Sequence, residues 1–260
     1  ALRHCPDAIV LPVRHSVYQT VSKQVFEIFN TFSPQVEGLS IDEAFLDLSG
    51  CEKLLGPPRQ VGENIRKAVR AQLDLTCSVG ISRRKFIAKI ASAAGKPNGL
   101  VEVQPGEEQT FLDPLPIAKL WGVGPRARQK LEARGVQTVA DMRALDPANL
   151  RQMFGRHGDQ LARLARGIDA RPVSPGRVAK SVSHEDTFAE DLHGRERLCQ
   201  HLLHQATKVA DRLARAGLFG RRVSIKIRDH NFRTHSRQQT LDQPTNQAQV
   251  IYQTAAVLLD

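Results

Sequence analysis

Residues 37–50 read EGLSIDEAFLDLSG. Asp42 and Glu43 stand side by side between two short apolar runs, and a third acid, Asp47, follows closely. QVEGL (35–39) and AFLDL (44–48) read as two strands, with SIDE as the tight connection between them. Adjacent residues on a regular strand point to opposite faces, so the two acids can converge only at the mouth of a hairpin, where the backbone twists. Paired carboxylates repel and are costly to hold together unless a hard cation sits between them. Mg²⁺ prefers oxygen ligands and keeps waters and substrate phosphates in its shell. An acid pair facing solvent beside a sheet therefore suits metal-assisted phosphoryl transfer. The residues alone leave a second reading open, that both are polar turn residues. Asp47 shares strand parity with Phe45 and reads as a hydrogen-bonded structural acid.

Working outward, the flanking segments alternate helix and strand patterns. Val17, Val21, Val25, Ile28 and Phe32 recur at helical spacing after Ser16, which predicts an amphipathic helix over 17–31 with Ser16 as its cap. Val61, Ile65, Val69 and Leu73 predict a second helix over 60–73. TCSVGIS predicts a strand whose Ser82 caps the helix RRKFIAKIASAA. That helix stops at Gly95 in a left-handed conformation, before the turn KPNG and the strand LVEV. Residues 1–106 thus form a mixed α/β domain. The opening ALRHCPDAIVLP reads as the middle of a domain, so an N-terminal portion is expected upstream.

From 107 to 170 the chain becomes helical with short punctuation, a compact all-α module. Pro125 sits at a helix start and Gly135 just past its end, while Thr138 and Asp146 carry N-cap signals. LWGVGPRARQKL combines a short helix, a Gly122-Val123-Gly124 turn and a helix from Pro125, the pattern of a helix-hairpin-helix. Such a turn brings backbone N–H groups close to phosphates, and the helix N-terminus adds a favourable dipole. Arg126, Arg128 and Lys130 alongside favour sequence-independent DNA binding over an ordinary αα turn. Residues 171–179 lie in a Pro- and Gly-bearing linker without a periodic apolar face.

Residues 180–260 predict β-α-β-β-α: a strand KSVSHEDTF, a helix over about 194–216, strands RRVSIKIRD and FRTHSRQQTL, and a helix over 245–259. A split β-α-β fold wants one more strand, so this domain too is expected to continue past Asp260. On the last strand Thr234, Ser236 and Gln238 share one face, and Arg233, His235 and Arg237 the other. Val223, Ile225 and Ile227 face inward on its neighbour. Hydroxyls and cations on an exposed sheet can track a phosphate backbone, or simply meet water.

Composition agrees with this division. Net charge is +10, yet Lys+Arg against Asp+Glu runs 13 to 12 over residues 1–110, 12 to 6 over 111–179 and 12 to 9 over 180–260. A neutral, acid-bearing region is followed by basic modules suited to gripping a polyanion. Four scattered cysteines without a CxxC pair argue against a disulfide framework or zinc site. His201 and His204 lie one helical turn apart but have no second ligand pair. No apolar run approaches a membrane span, and two tyrosines with one tryptophan provide no aromatic platform for stacked bases.

SIDEAFLDLSG resembles the signature of the Y family of translesion DNA polymerases. VGISRRKFIAKIASAAGKPNGL is similar to that family's following palm segment, and KSVSHEDTF to the opening of the little finger in its DNA polymerase IV (DinB-type) branch. LPVRHSVYQTVSKQVF and WGVGPRARQKLEARGV also fit, in the family's order. The resemblance implies an α+β multidomain fold: a partial palm (1–106), a helix-hairpin-helix thumb (107–170), a linker (171–179) and a little finger (180–260). It implies that Asp42 and Glu43 are catalytic and hold two Mg²⁺ ions, and that Lys96 contacts the incoming triphosphate, where the residue alone reads rather as a solvated turn lysine. It implies DNA contacts at Gly122, Val123, Gly124, Arg126, Arg128 and Lys130, and at Lys180, Ser181, Arg233, Thr234, Ser236 and Arg237. Primer–template DNA and deoxynucleoside triphosphates are the implied partners of a cytoplasmic monomer. A sliding clamp is a further implied partner, through a peptide beyond Asp260. The family's other metal-binding aspartate and its steric gate lie upstream of Ala1, so these 260 residues alone are not expected to polymerise. The competing function is a catalytically silent relative acting as a DNA-binding adaptor, which would be expected to lose the palm acids that are present here.

Overall fold

The computed structural model describes residues 3–176 and 179–259. The chain divides into two compact units, Ala1–Arg177 and Val178–Asp260.

The first unit opens with α1 (His15–Asn30), then β1 (Val36–Gly38) and β2 (Ala44–Leu46). The two strands pair antiparallel with Glu37 opposite Phe45 and Gly38 opposite Ala44, the hairpin that the apolar alternation predicts. A short α2 (Glu52–Leu55) leads to α3 (Pro58–Leu73), which has proline in its first turn. β3 (Val79–Ile81) runs parallel to β4 (Leu100–Glu102), and α4 (Lys85–Ala94) makes the crossover between them. Gly80 permits this packing, because a Cβ there would lie 1.9 Å from the Ala88 carbonyl oxygen.

Three cap expectations fail here, at Ser16, Ser82 and Gly95. Ser16 does not cap α1, which begins at His15 after Arg14, and its carbonyl instead accepts from the Thr20 hydroxyl. α4 starts only at Lys85, without a side-chain cap, and Gly95 ends it at φ −84° rather than in a left-handed turn. The left-handed residue of this turn is Asn98, at φ 47°.

The helical module follows with α5 (Glu108–Leu112), a 3₁₀ turn (Ile117–Lys119), α6 (Pro125–Glu132), α7 (Val139–Ala144), α8 (Pro147–Phe154) and α9 (Arg156–Ala165). The expected caps hold. Thr138 and Asp141 form a reciprocal capping box, and Asp146 accepts from the Ala148 amide. One apolar core joins this module to the α/β part. Phe86, Ile87, Ile90 and Ala91 of α4 pack in the same cluster as Leu112, Leu131, Met142 and Leu161. A separate cluster of Ile28, Val61, Ile65 and Val69 ties α1 to α3.

In the second unit α10 (Arg195–Arg215) precedes an antiparallel pair, β5 (Gly220–Arg228) and β6 (Thr234–Thr245), and α11 (Ala248–Val257) closes it. Ala206, Ala210, Leu213, Val223, Ile225, Ile251 and Ala255 form its core. Residues 181–188, expected as a strand, are irregular. The segment pairs with neither strand and is held through its middle: Arg212 donates to the Ser183 carbonyl, Lys226 to Glu185, and Gln205 to Asp186.

Candidate active site and nucleic-acid interface

The hairpin alternates its faces. Glu43 and Phe45 share one face of their arm, and the register places Glu37 opposite Phe45 on that same face. This face meets α4, where Lys85 and Lys89 stand one turn apart. Each lysine takes one glutamate. Lys85 Nζ lies 2.5 Å from Glu37 Oε2, and Lys89 Nζ lies 2.5 Å from Glu43 Oε2. The first pair is nearly withdrawn from water, with side chains 11% and 19% exposed, and the second is open at 35% and 43%. Asp42 sits exposed at the tip, where Ser40 Oγ donates to its Oδ1 at 2.5 Å. The tip is pinned by the Leu39 amide, which donates to the Glu43 carbonyl at 2.8 Å. Each of the adjacent acids thus has its own partner, and among the described residues no hydrogen bond joins the one to the other.

Burial alone would raise the pKa of Glu37. The Lys85 ammonium, the Ser174 amide and the Arg171 charge more than offset it and hold the carboxyl below its ordinary value. Asp47 is also lowered, by the Ser49 hydroxyl and then the Ser49 amide at 2.9 Å, which is the structural role its parity predicts.

The helix-hairpin-helix turn abuts this hairpin. Trp121 stacks on Phe45 with ring centroids 6.0 Å apart and planes 20° apart. Gly122 takes φ +97°, a region that favours glycine. His157 Nε2 lies 3.0 Å from the Gly122 carbonyl oxygen. Gly124 precedes Pro125, the first residue of α6, so the N–H groups of that helix's first turn open beside the turn. Arg128 is paired with Glu132 at 2.7 Å, Lys130 lies over the Phe154 ring, and Arg126 has no ion-pair partner among the described residues. The element before the turn is a 3₁₀ turn, shorter than the expected helix.

Lys96 is exposed beyond the end of α4, and among the described residues no hydrogen bond or ion pair joins it to Asp42 or Glu43. The sequence pattern assigns no role in the site to Glu37, Lys85, Lys89, Trp121 or Arg171. The available signal was a pair of lysines at i and i+4 on the helix that follows the acidic hairpin.

In the second unit the register sets which side chains share a face. Arg222, Ser224, Lys226 and Arg228 of β5 face the same way as Thr240, Gln238, Ser236 and Thr234 of β6. Arg237 lies on the other face, opposite Ile225, and donates to the Leu258 carbonyl at 3.0 Å. Arg233 sits in the connecting turn with its amide bonded to Asp229. The cations that accompany Thr234 and Ser236 are therefore those of β5. Val223 and Ile225 are buried as expected, but Ile227 is half-exposed. Lys180 and Ser181 are exposed in the irregular segment.

Residues 1–93 match the impB/mucB/samB family, 105–136 the helix-hairpin-helix motif of that family, and 179–260 its C-terminal domain. The chain is 42% identical to a DNA polymerase IV of Desulfatibacillum aliphaticivorans over 100% of its own length and 65% of the relative's. It is 43% identical to one of Alkalilimnicola ehrlichii (91% and 67%) and 41% identical to one of Xanthomonas axonopodis pv. citri (99% and 72%). Among solved structures, a Y-family DNA polymerase chimera of Dbh and Dpo4 superposes with a TM-score of 0.89 at 23% identity, over 99% of this chain and 74% of that one. DinB from Sulfolobus solfataricus superposes at 0.62 over 99% and 75%, also at 23% identity. Fold and matched segments together define a chain of the Y-family polymerase architecture. It belongs to the impB/mucB/samB family, in which the relatives named here are DNA polymerases IV.

Proposed function

We propose that the protein is a DNA-templated DNA polymerase that adds deoxynucleotides to a primer 3′ end, and that it works with low fidelity across damaged templates. The observation that carries this reading is the hairpin tip. It presents adjacent carboxylates at the surface, each oriented by one partner: Asp42 by Ser40 and Glu43 by Lys89. Among the described residues no three His, Cys, Asp or Glu side chains are grouped to hold a metal ion. The carboxylates are hard oxygen donors of the kind Mg²⁺ takes, and they fit as part of a shell completed by water and phosphate oxygens. When bound, a pair of such ions supplies Lewis-acid stabilisation of the charge that develops in phosphoryl transfer.

The chain's own side chains do the positioning. Lys89 balances the Glu43 charge and keeps the carboxylate aimed, and the exposed Lys96 is available to the triphosphate of an incoming nucleotide. The Gly122–Gly124 turn, the first turn of α6 and Arg126 grip the DNA backbone without reading bases. In the second unit the grip belongs to Arg222, Lys226 and Arg228 with the hydroxyls of Ser224, Thr234 and Ser236. No helix among the described residues is long and apolar enough to cross a membrane.

The test is primer extension by the full-length protein. Asp42→Ala and Glu43→Ala are each expected to lower the extension rate on the order of 10³-fold, while duplex affinity by anisotropy stays within about twofold. Extension retained in both variants rejects the assignment.

A further inference from the structure

Trp121, the single tryptophan of the chain, sits where the gripping turn meets the acidic hairpin. Its indole stacks on Phe45, which is buried and lies two residues after Glu43 on the same strand face. Lys89, the partner of Glu43, places its ammonium 5.9 Å from the indole centroid. Arg171 lies over the same indole at 4.6 Å and is itself fixed by Asp169, whose side chain is 3% exposed. Lys85 completes the array at 4.9 Å from the Phe45 ring. The residue immediately after this indole is Gly122, the positive-φ glycine of the turn.

Trp121 packs against the apolar core of this unit, but its indole also meets an aromatic ring and two cations, contacts that depend on a π face. One of those cations orients Glu43, and the stacked ring stands on the strand that carries Glu43. We infer that Trp121 is a positioning residue for the polymerase reaction, holding Glu43 in register with DNA seated on the helix-hairpin-helix turn through Phe45 and Lys89. The inference rests on the reading of Glu43 given above. It assigns the indole a task separate from binding DNA or nucleotide.

The test compares Trp121→Leu, which keeps apolar bulk without a π face, with Trp121→Phe, which keeps the face. Both are made in the full-length protein alongside Glu43→Ala. Trp121→Leu is expected to lower kcat about tenfold at saturating primer–template and nucleotide, within the range that a misplaced reacting group costs. The KM for DNA should stay within about twofold, and Trp121→Phe should recover most of kcat. Combining Trp121→Leu with Lys89→Met should lose less than the product of the separate losses, since both act on one carboxylate. Thermal melts of each variant report the folded fraction. The inference is overturned if the leucine variant keeps kcat, if phenylalanine does not rescue it, if the double variant is multiplicative, or if the loss only follows unfolding. Glu43→Ala separates the two levels. An active Glu43→Ala sinks the reading of the hairpin itself. An inactive one beside a fully active Trp121→Leu sinks only the coupling.

Discussion

The acidic hairpin and the strand pair of the second unit are both two-stranded and antiparallel, yet they treat charge in opposite ways. In the hairpin every acid on the α4-facing side has a cation assigned to it: Glu37 with Lys85 and Glu43 with Lys89. Aromatic rings then cap those cations from behind. On the open face of β5 and β6, cations dominate. Lys226 has an acid, Glu185, whose charge Arg228 shares only at longer range, and the hydrogen bond from the Arg228 side chain goes to the Thr234 hydroxyl at 3.4 Å. On the proposed reading, a site for an arriving cation gains from keeping Glu43 balanced and aimed until that cation comes, because bare acids side by side would repel. A surface meant for a polyanion gains from leaving its charge uncompensated, since each cation that meets a phosphate releases a counterion. On that reading, internal neutrality goes with the chemical region and internal excess with the gripping region.

The largest effect that can break this comparison lies on the excess side. Arg222→Gln, Lys226→Gln and Arg228→Gln together are expected to weaken duplex affinity by about 10- to 100-fold at low salt. The slope of log affinity against log salt should become shallower by roughly 0.9 per lost phosphate contact. Template sequence should not alter the loss. Arg237→Gln, on the helix-facing side, should leave the salt slope unchanged. Fluorescence anisotropy across a salt series measures both. An equal effect of Arg237→Gln would show that the strand register does not divide the contacts.

That division was only partly legible in the residues. Alternation in FRTHSRQQTL separates Thr234 and Ser236 from Arg237, but it does not show which cations of the neighbouring strand join them. Only the pairing of Lys226 with Ser236 and of Arg228 with Thr234 does that. The hairpin at 36–46 and the long helices α3 and α10 were readable because their apolar periods are strong and local. KSVSHEDTF alternates convincingly around Val182, yet it pairs with neither strand and stays irregular, since extended pattern without pairing is not a strand. Lys85 and Lys89 were visible as an i, i+4 pair, whereas their acids lie 48 and 46 residues away in sequence. No local rule reaches that far. Trp121 was noted only for its rarity, and its role depends on contacts from three separate segments.

A second effect sharpens the neutral side. Lys85→Met leaves the largely buried Glu37 carboxylate with only the Ser174 amide at 2.6 Å and the more distant Arg171 charge, and also removes a bond to the Pro172 carbonyl at 2.9 Å. It should destabilise the first unit by about 2–3 kcal/mol, since stranding one member of a withdrawn pair costs far more than opening an exposed one. Lys226→Met in the second unit should cost about 0–1 kcal/mol, because water screens that pair. Urea unfolding of each variant, followed by Trp121 emission for the first unit and far-UV circular dichroism for the whole chain, gives both values. Equal costs would mean that the hairpin is not built around its countercharges.

The smallest expected effect is in acid. Glu37 and Asp169 both lie below their ordinary values of 4.5 and 3.8. For Asp169 burial alone would raise it, but the Arg171 guanidinium and amide, with help from the Phe86 amide, more than offset that. A carboxyl lowered by folding contributes stability that is fully present above its unfolded value. That stability is lost as pH falls through the native value, because the unfolded chain then binds the proton more readily. The first unit should therefore lose stability between about pH 5 and 3. Glu37→Gln should start less stable at neutral pH and decline less over that window. Glu185 of the second unit is also lowered, by Lys226, but it stands in open water and adds no comparable dependence. Urea midpoints read by Trp121 emission at several pH values decide the matter. An unchanged acid slope in Glu37→Gln would show that the Lys85 pairing is not what holds this carboxylate ionised.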